Sequence, residues 1–384
     1  MMMKILTRMY QLLVIIKYSI LKFINLLLFN KKNEVFLISE RGIDARDNGY
    51  VFYNYLKTNH PELTVKYVID KKSSDIDKIN KDDIIFHASL KHYFYYMNSK
   101  YLISTHAMGY SPNMRVFLKL NKIKWFKPKG IQVFLQHGII NNYLKEITKE
   151  KLDIDIFISG AKKEYKYLLE NFGFDKDTIK LTGLARYDNL KGKTNNDILL
   201  MPTWRKKYFY TISDKKFKQT DYYKKFNNLI NNDRLIEYLR RNDSKLIFYL
   251  HHEMQKYAHC FIAKSDRVII ANENKYDIQE LLKKSKILIT DYSSVFYDFA
   301  YMRKKIIYFQ FDYNDFYSNH YKEGYFNFVN DGFGPVFKYE DDVIDYIIKY
   351  KNIERKYLNR INEFFSFNDY ENCERIYTEI IKKG

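Results

Sequence analysis

The regular alternation of short β-branched runs with amphipathic helical segments restricts this chain to an α/β fold. Such an order predicts parallel sheets covered by helices on both faces. The predicted strands of the first half are Val35–Ser39, Val65–Ile69, Asp83–Phe86, Tyr101–Ser104, Gln132–Leu135, Ile156–Ser159 and Ile179–Leu181, with helices at Gly49–Asn59, Leu90–Asn98 and Lys162–Phe172. The predicted strands of the second half are Ile198–Met201, Lys245–Tyr249, Val268–Ile270, Ile287–Thr290 and Ile306–Phe309, and a helical pattern runs from about Asp341 to the end.

A polar segment, Asp188–Asn196, separates the two series of strands and is the predicted domain boundary. A length of 384 residues suits two domains of moderate size. We therefore predict a membrane-associating segment at 1–32, one doubly wound domain at 33–190 and a second at 191–384 that includes the terminal helices. In doubly wound domains ligands bind at the carboxyl ends of the strands, so the residues there are the candidates for function.

The N-terminal run Gln11–Phe29 is apolar except for Lys17 and Lys22. Its length is borderline for a membrane-spanning helix, which needs about 20 residues. Each lysine would cost roughly 2.5–3.5 kcal/mol near the bilayer centre, but little on a helix lying in the interface. The pattern favours a peripheral helix on the cytoplasmic face of the membrane over a spanning one.

The net charge is 65 − 46 = +19. An excess of this size attracts nucleic acid, anionic lipid or phosphate-bearing substrates. Lysine enrichment from an AT-rich genome is an equally simple explanation, and the basic residues form no dense arm of the kind that binds nucleic acid. The two cysteines, Cys260 and Cys373, form no CxxC pair, which excludes a disulfide framework and fits a reducing compartment.

Gln136-His137-Gly138 directly follows a predicted strand. A histidine in this position is suited to accept a proton at neutral pH, and the glycine lets backbone approach a ligand closely. The alternative is a histidine that only hydrogen-bonds within its loop.

A second strand end carries His251-His252-Glu253. Neighbouring side chains on a strand point to opposite faces, so the two histidines are poorly placed to share a metal ion. We expect no metal, and a histidine that hydrogen-bonds a phosphate instead.

The segment Thr290-Asp291-Tyr292-Ser293-Ser294 joins a predicted strand to a predicted helix. Serine or aspartate there is an ordinary helix cap, but hydroxyl and free N–H groups at a helix start also bind phosphate. Neither GxxxxGK[ST] nor GxGxxG occurs in the chain.

Arginines flank the predicted boundary at Arg186 and Arg205. Two arginines there would suit a bidentate clamp on a pyrophosphate, although Arg186 and Asp188 would also suit a local pair. Asp312 is a further carboxylate beyond the strand end at Phe309.

Together these motifs resemble the CDP-glycerol glycerophosphotransferase family, which primes or polymerises teichoic acid and related polymers. QHG, GLARYDNL, MPTWR, the strand that ends before His251, TDYSS and YFQFDYNDF occur in the family's order, and SERGIDARDNGYVFYNYL is similar to the start of one branch. The resemblance extends from about Ser39 to Tyr325. It implies a GT-B fold, two Rossmann-like domains facing a cleft, with the donor held mainly by the second.

The resemblance also implies roles for individual residues. His137 matches the family's catalytic base, His251 its phosphate-binding histidine, and Ser293 and Ser294 its pyrophosphate site. The other residues assigned to the donor site are Arg186, Thr203, Arg205, Thr290, Asp291 and Asp312, with Gly138 and His252 as additional candidates. Tyr249 and His252 replace the arginine and proline expected around the second histidine, which leaves the register of His251 against His252 open.

The implied reaction is displacement at the β-phosphorus of CDP-glycerol or CDP-ribitol, with release of CMP. The implied acceptor is a lipid-linked glycan or polyol phosphate at an anionic membrane surface, and no cofactor is expected. A nucleotide-sugar-dependent GT-B glycosyltransferase is the enzymatic alternative. A basic protein that binds a membrane surface or nucleic acid is the non-enzymatic one.

Overall fold

Two parallel β-sheets organise the part of the chain that this computed structural model describes, residues 2–28, 33–208, 210–272, 274–319 and 324–384. The chain divides into two compact units. Unit 1 comprises Met1–Asn189 and Phe367–Gly384, and unit 2 comprises Leu190–Ser366. The first change of unit falls inside the polar segment Asp188–Asn196.

Unit 1 begins with a long helix and continues with strand–helix alternation. Its elements up to the polar segment are α1 (Met2–Leu28), β1 (Asn33–Ser39), α2 (Asn48–Asn59), β2 (Thr64–Ile69), β3 (Ile84–Phe86), α3 (Leu90–Asn98), β4 (Ser99–Ser104), α4 (Met114–Leu120), β5 (Ile131–Phe134), β6 (Ile156–Ser159), α5 (Lys162–Asn171) and β7 (Ile179–Leu181).

Among the described residues these seven strands form one parallel sheet in the order β3-β2-β1-β4-β5-β6-β7. Apolar residues of the central strands, such as Leu37, Leu102 and Phe157, are fully buried because helices cover both faces of the sheet. The order reverses between β1 and β4, which is the switch point of a doubly wound fold.

Unit 2 repeats this plan with a smaller sheet. Its elements are β8 (Ile198–Leu200), α6 (Asp214–Lys218), α7 (Asp221–Ile230), α8 (Asp233–Arg241), β9 (Leu246–Tyr249), β10 (Val268–Ala271), α9 (Ile278–Lys284), β11 (Ile287–Thr290), α10 (Val295–Tyr301), β12 (Lys305–Phe309), α11 (Tyr313–Asn319), β13 (Val336–Phe337), α12 (Glu340–Lys349) and α13 (Arg355–Phe364). The described strands are parallel in the order β10-β9-β8-β11-β12-β13, so the switch point lies between β8 and β11.

The last helix, α14 (Asn372–Lys383), belongs to unit 1. The sequence prediction had placed it with the second domain, and the structure differs for a physical reason. The Asp188 carboxylate accepts hydrogen bonds from the backbone N–H groups of Asn372 (2.9 Å) and Cys373 (2.7 Å), and thereby satisfies the start of the helix. Ile376 and Ile380 are fully buried on its inner face.

Helix α1 lies against α3 and α4 of unit 1. Val14 and Tyr18 are buried in the unit's core cluster, and the Tyr18 ring packs edge-on against Phe117 at 5.0 Å. The stretch Leu6–Leu27 is long and apolar enough to cross a membrane by length and composition alone. Its outward side chains are largely exposed, as Leu13 shows at 62%.

The predicted strands all form, within a residue or two of their predicted bounds. Strand β13 was missed because two residues, Val336 and Phe337, are too few to show a hydrophobic period. Phe29, at the end of the predicted N-terminal run, and residues 29–32 of the predicted membrane-associating segment lie outside the described residues.

Candidate functional site

In unit 1 the loops that follow β1, β4 and β5 meet at the carboxyl edge of the sheet. The middle of this edge is the switch point, where ligands bind in doubly wound folds. The loop after β5 carries His137, and the loop after β1 carries Asp47 at the start of α2.

The backbone before His137 is held in a fixed shape. Gln136 has a φ of +64°, a left-handed conformation that residues other than glycine adopt at a cost. The Asn48 side chain donates a hydrogen bond to the Gln136 carbonyl (2.9 Å), and the Gln136 amide donates to the carbonyl of Ile158. These bonds therefore fix the backbone from which the His137 side chain extends.

His137 and Asp47 form a hydrogen-bonded pair through Nδ1 and a carboxylate oxygen. The His137 side chain is 72% exposed, whereas that of Asp47 is only 10% exposed. The charge of Asp47 and its hydrogen bond raise the pKa of His137, against opposing effects of desolvation and Arg186. When Nδ1 carries the shared proton, Nε2 is left as the basic atom on the exposed side.

Arg186 completes this group. Its guanidinium donates to the second Asp47 oxygen (3.0 Å) and to the His137 carbonyl, and the Arg186 backbone N–H donates to Asn48 Oδ1 (2.8 Å). Burial alone would raise the pKa of Asp47, but the charges of Arg186 and His137 lower it to about 2. A Cβ at Gly138 would lie 3.2 Å from Arg186 Nη2, so the glycine admits the guanidinium.

The buried carboxyl group of Glu40 fixes the backbone of Asp47. Glu40 accepts hydrogen bonds from the backbone N–H groups of Asp47 (2.6 Å), Arg46 (3.1 Å) and Tyr50 (3.2 Å), which are donors at the start of α2. Burial, together with the charges of Asp47 and Asp44, raises the pKa of Glu40 to about 8. Glu40 therefore holds the position of Asp47 through the backbone N–H groups at the start of α2.

Glu164 fixes the backbone that follows His137 in a similar way. It accepts from the backbone N–H groups of Ile140 (2.6 Å) and Gly160 (2.7 Å) and from the Ser159 hydroxyl (3.0 Å). Burial raises the pKa of Glu164 to about 7. These bonds tie the loop after β5 to the loop after β6.

Sequence reasoning assigned no role to Asp47, Glu40 or Glu164. Asp47 and Glu40 lie within the quoted stretch SERGIDARDNGYVFYNYL. The available signal was an acidic residue between a predicted strand and the predicted helix Gly49–Asn59, on the same sheet edge as His137.

In unit 2 a buried ion network connects the strand ends at the switch point. The Arg205 guanidinium bonds Asp312 through two nitrogens (2.8 and 3.1 Å) and Asp291 through Nη2 (2.8 Å). The other Asp291 oxygen accepts from the Thr203 backbone N–H at 2.7 Å. The Arg205 side chain is 2% exposed and that of Asp291 is fully buried.

This arrangement corrects the expectation that Arg205 clamps a pyrophosphate directly. Its charge is balanced by Asp291 and Asp312, and the rings of three aromatic residues lie over it at 5.0–5.3 Å, namely Tyr222, Tyr292 and Phe316. The Thr290 side chain is also buried, and its hydroxyl donates to the Met201 carbonyl at 2.7 Å. These buried contacts fix the conformation of the strand-end loops.

The open side of the same loops carries hydroxyl groups. Ser293 is half-buried, and Ser294 is exposed at the start of α10, where its side chain makes no capping bond. The Thr203 hydroxyl is buried without a hydrogen-bond partner among the described residues. A buried hydroxyl without a hydrogen-bond partner lowers the free energy of unfolding by about 1–3 kcal/mol. A ligand that bonds this hydroxyl would offset that loss.

His251 follows β9 as the N-cap of a 3₁₀ helix, His252–Cys260. Its Nδ1 accepts from the Glu253 backbone N–H (3.2 Å), which places the ring proton on Nε2. The ring stacks near Trp204, with centroids 6.3 Å apart. His252 is exposed on the first turn of that helix. The two histidines therefore lie at the start of a 3₁₀ helix and not on a strand.

One group of potential metal ligands occurs in the described part of the chain, Asp214, His259 and Cys260, whose donor atoms lie within 4.8 Å of one another. Asp214 and His259 are exposed and paired at 2.9 Å. None of them is a predicted site residue, and the expectation of metal-free chemistry stays a prediction.

Comparison with known proteins places this chain among relatives. The family described as CDP-Glycerol:Poly(glycerophosphate) glycerophosphotransferase matches residues 20–382. The minor teichoic acid biosynthesis protein GgaB of Bacillus subtilis is 34% identical over 92% of this chain. The chain spans only 40% of that protein's length. The teichoic acid poly(glycerol phosphate) polymerase of Bacillus spizizenii is 27% identical over 92% of both chains.

The wall teichoic acid polymerase TagF has a similar fold. Its structure superposes with a TM-score of 0.69 at 18% identity, covering 98% of this chain and 96% of TagF. A TagF variant soaked with CDPG gives a TM-score of 0.70 at 16% identity, covering 100% of this chain and 98% of that one. The predicted fold class, GT-B with two Rossmann-like domains, is confirmed.

Proposed function

Because this chain belongs to the CDP-glycerol:poly(glycerophosphate) glycerophosphotransferase family, we propose that it transfers glycerol phosphate, or a related polyol phosphate, from a CDP-activated donor to a hydroxyl acceptor. The observation that carries the proposal is the His137–Asp47 pair at the switch point of unit 1, with Nε2 on the exposed side. A general base in this state is what a hydroxyl nucleophile requires.

The proposed reaction is a displacement at the β-phosphorus of the donor. The acceptor oxygen forms a bond to this phosphorus while His137 Nε2 takes the hydroxyl proton. The bond between the β-phosphorus and the bridging oxygen breaks, and CMP leaves with the electron pair. Asp47 stabilises the imidazolium that results, because its carboxylate already accepts the proton on Nδ1.

We assign the donor to unit 2. His251 would donate from Nε2 to a phosphate oxygen, and Ser293 and Ser294 would supply hydroxyl groups. Thr203 would gain a partner for its buried hydroxyl. Arg205 would act indirectly by holding these loops through Asp291 and Asp312. Hydrogen-bond donors fixed in this way stabilise charge on a phosphoryl group without reorganising.

We propose a peripheral position on the cytoplasmic face of the membrane. Helix α1 is bound to unit 1 through Val14 and Tyr18, and its exposed leucines and isoleucines form an apolar face available to lipid. Lys17 donates to the Ala88 carbonyl (3.4 Å) and Lys22 to the Trp125 carbonyl, so both lysines contact unit 1 and the lipid contact is assigned to the apolar face alone. The acceptor would be a lipid-linked glycan or polyol phosphate at that surface.

A donor panel tests the proposal. The purified protein is incubated with CDP-glycerol, CDP-ribitol and several nucleotide-sugars beside a lipid-linked acceptor, and release of CMP or nucleoside diphosphate is measured. We expect CMP from a CDP-polyol, and its loss in His137→Ala. Release from a nucleotide-sugar alone would favour the glycosyltransferase alternative, and the absence of CMP with every CDP-polyol would refute the proposed transfer.

A further inference from the structure

A second histidine lies beside His137 and has no assigned role. His106 follows β4, the neighbour of β5 in the sheet, and the two imidazole rings are 5.1 Å apart and inclined by 38°. Its Nδ1 is bonded to the Thr105 hydroxyl at 3.0 Å. Nε2 has no partner among the described residues, and the side chain is half-buried at the carboxyl edge.

The loop that carries His106 is rigidly placed. The His106 carbonyl accepts from the Ser104 hydroxyl (2.7 Å) and from the Gly109 backbone N–H (2.8 Å). A Cβ at Gly109 would lie 2.1 Å from the carbonyl oxygen of Glu40, so only glycine permits this close approach to the end of β1. His106 is therefore held against the same loop that positions Asp47.

Arg41 adds a positive charge to this edge. It follows β1, its side chain is 48% exposed, and Nε pairs with Asp44 at 3.2 Å. Burial, followed by the charges of His137 and Arg41, lowers the pKa of His106 to about 4. His106 is thus a neutral hydrogen-bonding group at physiological pH, and Arg41 contributes guanidinium N–H groups that its pair with Asp44 does not use.

We propose that His106 and Arg41 bind the phosphate group of the acceptor's terminal unit, next to the hydroxyl that His137 activates. The inference rests on the proposed function and names the acceptor class as a chain that ends in glycerol phosphate. In such an end, a three-carbon spacer joins the free hydroxyl to the phosphate, a length of the same order as the 5.1 Å between the two rings. When the Thr105 hydroxyl donates to Nδ1, the ring proton lies on Nε2, and His106 can donate it to a phosphate oxygen.

The acidic groups nearby do not oppose this assignment. Asp47 is paired with His137 and Arg186. Asp44 accepts from Nε and Nη2 of Arg41, so a phosphate would bind at Nη1, which has no partner among the described residues. The proton that His137 takes up during the reaction would add a further positive charge beside the bound phosphate.

The test compares two acceptors that differ only in the phosphate. One synthetic lipid ends in a single glycerol phosphate unit, and the other ends in a neutral glycerol ether with the same reacting hydroxyl. For each, kcat/KM is measured by CMP release at saturating CDP-glycerol. We expect the wild-type protein to prefer the phosphate-bearing acceptor, and His106→Ala and Arg41→Ala each to reduce this preference by about tenfold, the effect of one charge-assisted hydrogen bond.

Two further variants separate binding from folding. His106→Gln retains a donor near the position of Nε2 and should recover part of the preference. His60→Ala is the matched control, because His60 follows the end of α2 while Asp47 precedes its start, so it lies at the opposite edge of the sheet. Thermal unfolding and the KM for CDP-glycerol should stay near wild-type values in His106→Gln, and the preference for the phosphate-bearing acceptor should be unchanged in His60→Ala.

An unchanged acceptor preference in both alanine variants, or an equal loss with both acceptors, would overturn the inference. Calorimetric binding of the phosphate-ended lipid to wild type and His106→Ala gives the same comparison without turnover. Equal affinities there would also overturn it. Failure of the wild type to release CMP with any acceptor would instead defeat the proposed function.

Discussion

Replacing Asp47 by asparagine tests the central pair of unit 1. The carboxylate accepts from His137 through one oxygen and from Arg186 through the other. An amide of the same shape has only one accepting oxygen. If that oxygen stays on Arg186, the amide NH₂ faces His137 Nδ1, and the ring proton moves to Nε2. The base would then carry its proton on the wrong nitrogen.

The size of the effect follows from how firmly the ring is held. Loss of the carboxylate in a fully enclosed histidine–aspartate pair lowers kcat by about 10⁴-fold. The His137 side chain is 72% exposed, so water can support the reversed tautomer and the ring can turn. We therefore expect a smaller loss, on the order of 10²–10³-fold in kcat, within the usual range for general base catalysis.

The pH profile supplies a second measure. His137 acts as a base only when neutral, and Asp47 raises its pKa above the ordinary imidazole value of about 6.5. The acidic limb of kcat/KM should therefore lie above that value in the wild type. It should shift to lower pH in Asp47→Asn, because the cause of the raised pKa is gone.

The assay is CMP release from CDP-glycerol between pH 5 and 9, with unfolding measured in parallel. Asp75→Asn is the control, since Asp75 pairs with Arg46 (2.5 Å) and Lys78 (3.0 Å) in the same unit without contacting His137. It should lose stability but keep its kcat. A kcat for Asp47→Asn within about threefold of wild type, with an unmoved acidic limb, would refute the role given to this pair.

Four further predictions address unit 2, the donor, the metal and the membrane. Arg205→Met leaves two buried carboxylates without a cation and should lower the free energy of unfolding of unit 2 by about 3–5 kcal/mol in urea titrations. The double variant Ser293→Ala/Ser294→Ala should raise the KM for CDP-glycerol about tenfold with an unchanged unfolding midpoint; an unchanged KM would remove these hydroxyls from the donor site. Dialysis against EDTA should leave CMP release intact, and a loss restored by a divalent cation would contradict the metal-free reaction. Leu13→Glu should weaken co-sedimentation with anionic vesicles at least tenfold, since it removes one exposed apolar side chain and adds a negative charge; equal binding would argue against α1 as the lipid contact.

The sequence was most informative where function depends on local pattern. Hydrophobic runs separated by amphipathic segments predicted every strand longer than two residues, and the motifs after those strands led to the correct family. His137, His251 and Ser294 were proposed as site residues because polar residues in the loop after a buried strand lie at the carboxyl edge of a parallel sheet, and their roles stay predictions.

The partners of these residues were not predictable in the same way. Asp47 reaches His137 across 90 positions, and Arg205 reaches Asp312 across 107, because crossover connections bring distant strand ends together. An arginine that follows a predicted strand has the same sequence pattern whether it faces a ligand or two buried carboxylates. Only burial and geometry distinguish these cases.

The sequence by itself therefore determined two parallel sheets, the strand-end loops that hold the candidate residues and the family to which the chain belongs. Each of these depends on short-range periodicity and on residues next to one another. Tertiary structure decided which side chains are exposed and which charges cancel. In the folded chain Asp47 pairs with His137, and His106 lies beside it. Arg205 is buried against Asp291 and Asp312, and α14 belongs to unit 1. The physical reason is that burial, pairing and desolvation are properties of neighbours in space, which residues far apart in the chain become only after folding.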